Sequence, residues 1–108
     1  MICMKNADVT EPAPVIFLSG ELDLTDAPWC EKQIERARGE HHSVTVNARD
    51  LTYLDSSILV MLLRQHRICL QRSGRLCVVE PSPRLARVLN VTGVDRILCP
   101  LGSLGKSA

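Results

Sequence analysis

Aromatic side chains are nearly missing: Phe17, Trp29 and Tyr53 are the only three in 108 residues, although 45% of the chain is apolar. The core must therefore be built from Leu, Val and Ile, which favours helices packed on a sheet over a disulfide- or metal-stapled miniature. Long apolar runs are also absent, so no membrane-spanning helix is expected. The chain does not open with a basic region and an apolar run, so no secretory signal is expected and a cytoplasmic location is read. The net charge of +1 leaves no global field to recruit nucleic acid or an anionic membrane. The length suits one domain spanning residues 1–108.

The five cysteines are odd in number and irregularly spaced, with no C-x-x-C. Cys30, Cys69, Cys77 and Cys99 fall in apolar stretches, where a free thiol behaves as a small buried hydrophobe rather than as a redox switch. No metal site and no cofactor are expected. Enzyme signatures are missing as well: there is no G-x-S-x-G, no phosphate-cradling glycine loop and no H-E-x-x-H. Ser56, Asp55 and His66 supply triad chemistry by residue type only, because ten helical residues place Ser56 and His66 roughly 15 Å apart. Glu21 and Asp23 are paired carboxylates without cleft chemistry around them. A binding protein is expected, not a catalyst.

What is present is strand–helix alternation. Val15–Leu18 reads as a buried strand closed by Ser19-Gly20. Thr25 offers an N-cap, Pro28 fits the first turn, and a helix with Ala27, Cys30, Ile34 and Ala37 on one stripe runs to about Arg38 before Gly39. Val44–Val46 is a second buried strand. Leu51–Leu54 leads to Asp55 and Ser56, which start a helix ending near Ser73-Gly74. Leu59, Leu62, Leu63, His66, Cys69 and Leu70 form its expected core face, with His66 as a hydrogen-bonded core histidine. His41-His42 read as solvated loop residues. Leu76–Val79 is a third, central strand; Ser82 and Pro83 then cap and open a helix ending at Gly93, and Ile97–Cys99 is expected as a last short strand. Ile2–Met4 or Ala7–Val9 offers an edge strand, and residues 100–108 read as frayed. Short loops imply right-handed crossovers, giving an α/β fold with a small mixed, largely parallel sheet covered by helices.

Charge is unevenly distributed along the chain. Residues 1–55 hold five Lys/Arg against ten Asp/Glu, and residues 56–108 hold eight against two. A basic second half suits an acidic partner, but charge runs are usually solvated faces and interleaved elements cancel much of the asymmetry.

Gly20-Glu21-Leu22-Asp23-Leu24, Leu54-Asp55-Ser56-Ser57, Gly74-Arg75-Leu76, Pro81-Ser82-Pro83 and Thr92-Gly93 together resemble a STAS domain, in order and spacing over about residues 15–99. The closest likeness is to the stand-alone bacterial anti-sigma factor antagonists. The resemblance implies a phosphorylated serine at Ser56, modified by an anti-sigma factor that is also an ATP-dependent serine kinase and reset by a phosphatase. It implies that the unphosphorylated protein captures the anti-sigma factor, regulating transcription indirectly without touching nucleic acid. The acidic loop with Gly20, Glu21 and Asp23 shares the partner surface with Asp55 and Ser57 on that view. Trp29 lies off its helix stripe and is read either as a partner anchor or as a ring lying over neighbouring loops. Two departures stand out: Asn47 where relatives commonly carry Asp, and Ile58 where they usually carry Gly. A β-branched Ile58 is expected to add bulk beside Ser56 and, with Val60 and Met61, an apolar docking surface. The alternative implied by the same fold is a constitutive STAS subunit of a larger assembly, such as a lipid-transport ABC complex or a stress-signalling complex.

Overall fold

A computed structural model describes residues 13–99, so the expectations for Ile2–Met4, Ala7–Val9 and the tail 100–108 lie outside the described residues. Three parallel strands, β1 (Val15–Leu22), β2 (Val44–Leu54) and β3 (Leu76–Val79), form a sheet in the order β1-β2-β3. The helices are α1 (Ala27–Arg38), α2 (Ser56–Gln71), α3 (Pro83–Thr92) and α4 (Asp95–Leu98), with a single 3-10 turn at Leu24–Asp26. The expected α/β architecture and parallel pairing are present. β3, expected to be central, instead ends the described sheet, and β2 lies between its neighbours.

β1 does not stop at Ser19-Gly20. It continues to Leu22, because its pairing with β2 slips between Phe17 and Ser19 and again between Gly20 and Glu21. Gly20 absorbs the distortion at φ +75°, a left-handed value that glycine adopts without a Cβ penalty. The start of α1 also departs from expectation. Asp26, not Thr25, precedes the helix and makes no side-chain cap bond to it, while Asp23 caps the 3-10 turn before it. The Asp23 carboxylate accepts from the Thr25 N–H (2.9 Å) and hydroxyl (2.6 Å), and Asp26 accepts from the Asp23 N–H (2.9 Å). This reciprocal arrangement closes the 3-10 turn before the helix proper begins. Cys30 and Ile34 are fully buried on the expected stripe, with Arg38 beside them.

Asp55 caps α2, and Ser82 caps α3 through the Leu85 N–H at 3.2 Å, with Pro83 first in that helix. The core face of α2 is Ile58, Leu59, Met61, Leu62, Gln65, His66 and Cys69; Leu70, expected there, is more than half exposed. Nδ1 of His66 accepts the Leu76 N–H at 3.1 Å, tying α2 to β3. Burial, assisted by the Arg75 charge, holds the imidazole below its ordinary pKa. The Ile97–Cys99 segment is not a strand: α4 occupies Asp95–Leu98, with the Leu98 N–H donating to the Val94 carbonyl at 2.9 Å. Cys30, Cys69 and Cys99 are buried, and burial pushes the Cys30 and Cys69 thiols up.

The turn after α2 is pressed against the start of β2. A Cβ on Gly74 would lie 2.0 Å from the His42 carbonyl oxygen and 2.4 Å from its carbon, both backbone atoms. Gly74→Ala is therefore expected to cost about 1–3 kcal/mol, toward the upper end because backbone yields poorly. A lowered urea midpoint with an unchanged slope checks this; an unchanged midpoint would show that the His42 loop gives way.

Candidate functional site

The end of the domain where β1 and β2 run out is organised by one carboxylate. Asp55 Oδ1 accepts the Ser57 N–H at 3.0 Å and the Ser57 hydroxyl, while Oδ2 accepts the Leu24 N–H at 3.0 Å. The Asp55 N–H in turn donates to the Leu22 carbonyl at 3.2 Å. One residue thus fastens the acidic loop to the first turn of α2. The Ser57 hydroxyl is the main influence holding the Asp55 carboxyl below the ordinary range, with the Ser57 and Leu24 N–H groups acting the same way against partial desolvation. Asp23 is held low chiefly by the Thr25 hydroxyl and N–H. The stability linked to both groups is present above the ordinary carboxylate pKa and is lost as pH falls through their lowered values.

The two serines are in different states. Ser57 is partly buried with its hydroxyl committed to Asp55, whereas Ser56 is exposed and its hydroxyl has no hydrogen-bond partner among the described residues. Gly20 and Glu21 are exposed in the distorted end of β1, and Asp23 is exposed in the segment that Asp55 fastens. Trp29 is exposed in the first turn of α1, and Val60 is exposed one turn into α2. Ile58 is different: it is 0% exposed, and so is Met61. The expectation that Ile58 adds an apolar docking surface beside Ser56 is therefore overturned. Its side chain belongs to the core, because residues 58, 62, 65 and 69 follow one another on the inward face of α2.

Sequence reasoning missed Leu24, whose side chain is 66% exposed in the acidic loop. An apolar residue flanked by Asp23 and Thr25, outside any helical stripe, was the available signal. A shallow cleft of about 260 Å³ between the end of β2 and α3, lined by Tyr53, Arg84 and Val88 among others, was also not foreseen. His66 is locked to β3 and does not approach Ser56, so no triad is assembled. Among the described residues no group of three or more His, Cys, Asp or Glu is placed to hold a metal ion, and no helix is long and apolar enough to cross a membrane.

The chain is 27% identical over 86 residues to the anti-sigma F factor antagonist of Paenibacillus polymyxa, covering 78% of this chain and 74% of that protein. It is 27% identical over 84 residues to the anti-sigma-B factor antagonist of Staphylococcus epidermidis, covering 77% and 78%. Among solved structures, the anti-sigma factor antagonist SpoIIAA in its unphosphorylated form superposes with a TM-score of 0.68 at 28% identity, covering 77% of this chain and 74% of that one. The family model of the STAS domain matches residues 4–105, nearly the whole length, and the chain belongs to the STAS domain family.

Proposed function

We propose that this protein is an anti-sigma factor antagonist that captures an anti-sigma factor with its Ser56 end and releases it when Ser56 is phosphorylated. The observation that carries this reading is the contrast between the serines: the Ser57 hydroxyl is held by Asp55, and Ser56 is exposed with its hydroxyl unpartnered among the described residues. The names of the relatives support the antagonist role. Exposed Leu24 and acidic Asp23 lie in the segment that Asp55 ties to the start of α2, while Glu21 ends β1 and Trp29 and Val60 are exposed on α1 and α2, so apolar and acidic groups are available to a partner on this reading. A phosphate on Ser56 sits at the N-terminus of a 16-residue helix, which tolerates an anion. It adds a charge of about −1.5 to −2 beside Asp55, so a docked partner is expelled by repulsion and desolvation while the fold survives.

Phosphopeptide mass spectrometry after incubation with the anti-sigma partner, ATP and Mg²⁺ is expected to place label on Ser56 and not on Ser57. Calorimetry is expected to show Ser56→Ala binding as the unmodified protein does, with Ser56→Asp weakened about tenfold, because the mimic carries less charge than phosphate. Label on Ser57 alone, or equal affinity of Ser56→Asp and the unmodified protein, would overturn the switch. Tight binding without any phosphorylation would favour a constitutive STAS subunit instead.

A further inference from the structure

α2 is apolar on two sides. Beside its core face, exposed Val60 (55%) and Leu70 (54%) and the half-buried Leu63, which packs on the core, line a groove of about 510 Å³ that Ile97 of α4 (44%) closes. Arg64 and Arg67 rim this groove, and among the described residues no acidic one lines it. Arg64 is already held by Glu31 at 2.7 Å, while Arg67 has no ion-pair partner among the described residues. Arg75 adds to this side by donating to the Ile97 carbonyl at 2.9 Å, and its buried Nε has no hydrogen-bond partner. Arg64, Arg67 and Arg75 thus put positive charge beside an apolar trough, with Arg67 the one of them on its rim that is without an ion-pair partner among the described residues.

We propose that this groove is a second protein-docking surface whose occupant is an acidic amphipathic helix: apolar side chains enter between Val60, Leu63, Leu70 and Ile97, and carboxylates meet Arg67. Helical rise places Leu70 roughly 21 Å from Ser56 along α2, so the far end of the groove lies well away from the switch. The proposal does not rest on phosphorylation of Ser56. Charge selects this occupant over the alternatives. A second copy of the chain packed groove to groove would set Arg67 near Arg67 with no acid between them. A lipid surface is disfavoured because the apolar residues line a trough and the net charge is only +1. The recognition mode is a helix laid in a groove, with affinity from the apolar anchors and partner choice from the charge.

The test uses the full chain, isotope-labelled, titrated with a synthetic amphipathic helix of about 15 residues carrying leucines on one face and glutamates beside them. Amide shift changes are expected to centre on Leu63, Arg67, Leu70 and Ile97. Arg67→Glu and Leu70→Asp, with folding checked by circular dichroism, are each expected to weaken binding at least about tenfold. The same peptide with lysines for glutamates is expected to bind at least about tenfold less tightly. No binding, shift changes centred on Glu21 to Ser57, or equal binding of the basic peptide would overturn the proposal. So would self-association in sedimentation that Leu70→Asp abolishes, or tighter binding to phosphatidylserine vesicles than to the peptide.

Discussion

Ile58→Gly is expected to lose about 3–6 kcal/mol of folding stability, a substantial part of what a domain of this size possesses. The side chain is 0% exposed, so truncation removes its buried surface and leaves a cavity, and a glycine inside α2 adds its own entropic cost. Ile58→Val, which deletes a single methylene, is expected to cost only about 0.5–1.5 kcal/mol. Urea unfolding followed by circular dichroism separates these values. A loss below about 1 kcal/mol for the glycine variant would contradict the burial. The result also governs how phosphorylation kinetics are read. A faster phosphate transfer in Ile58→Gly would report a loosened helix, not a gate removed from the path to Ser56.

Gln65→Leu is expected to cost about 3–5 kcal/mol, far more than an apolar replacement in a core usually costs. Gln65 is fully buried between α1 and α2, and its Oε1 accepts from the guanidinium of Arg38 at 3.2 Å. Its amide donates to Glu31 at 2.6 Å and to Glu35 at 3.3 Å. Arg38 is only 5% exposed, and its Nε already lacks a partner. Leucine at 65 would strip this buried cation of its side-chain hydrogen bond and of the bridge toward the two glutamates. Arg38→Met removes the charge itself but leaves the buried Oε1 of Gln65 without its donor, and is expected to cost about 1–3 kcal/mol, less than Gln65→Leu because no cation is stranded. The double variant is therefore expected to recover most of the Gln65→Leu loss, and equilibrium unfolding of all four proteins gives the coupling. Additive losses would show that the two residues do not depend on each other.

Local chemistry made much of this fold legible. Ser82 followed by Pro83 and closed by Gly93 marked α3 within a residue or two, since cap, fixed φ and left-handed terminus all lie within that short sequence. Asp55 and Ser56 marked the start of α2 for the same reason. What failed depended on distant partners. Ser19-Gly20 reads as a stop, yet β1 continues because β2 supplies hydrogen bonds across two register slips. Ile97–Cys99 is too short an apolar run to tell strand from helix, and its backbone bonds to Val94 and Asp95 decided the matter. Ile58 lies only two residues from the exposed Ser56, yet it faces the opposite way, into the core. Its own spacing to Leu62, Gln65 and Cys69 already placed it inward. The proposed phosphoacceptor was legible, whereas the Asp55 link to Leu24, thirty-one residues away, was not.

That link bears on how tightly the Ser56 end can hold a partner. A loop and a helix terminus that moved independently would each have to be immobilised on docking, and the lost freedom would subtract from affinity. With Leu24 and Ser57 hydrogen-bonded to the same carboxylate, the two segments are ordered relative to one another before any partner arrives. Their conformational entropy is surrendered on folding, not on association. On the proposed function, a partner would meet a preshaped epitope in which the Leu24 and Ser57 backbones hold fixed relative positions. The proposed phosphate on Ser56 would then alter a surface whose geometry is already set.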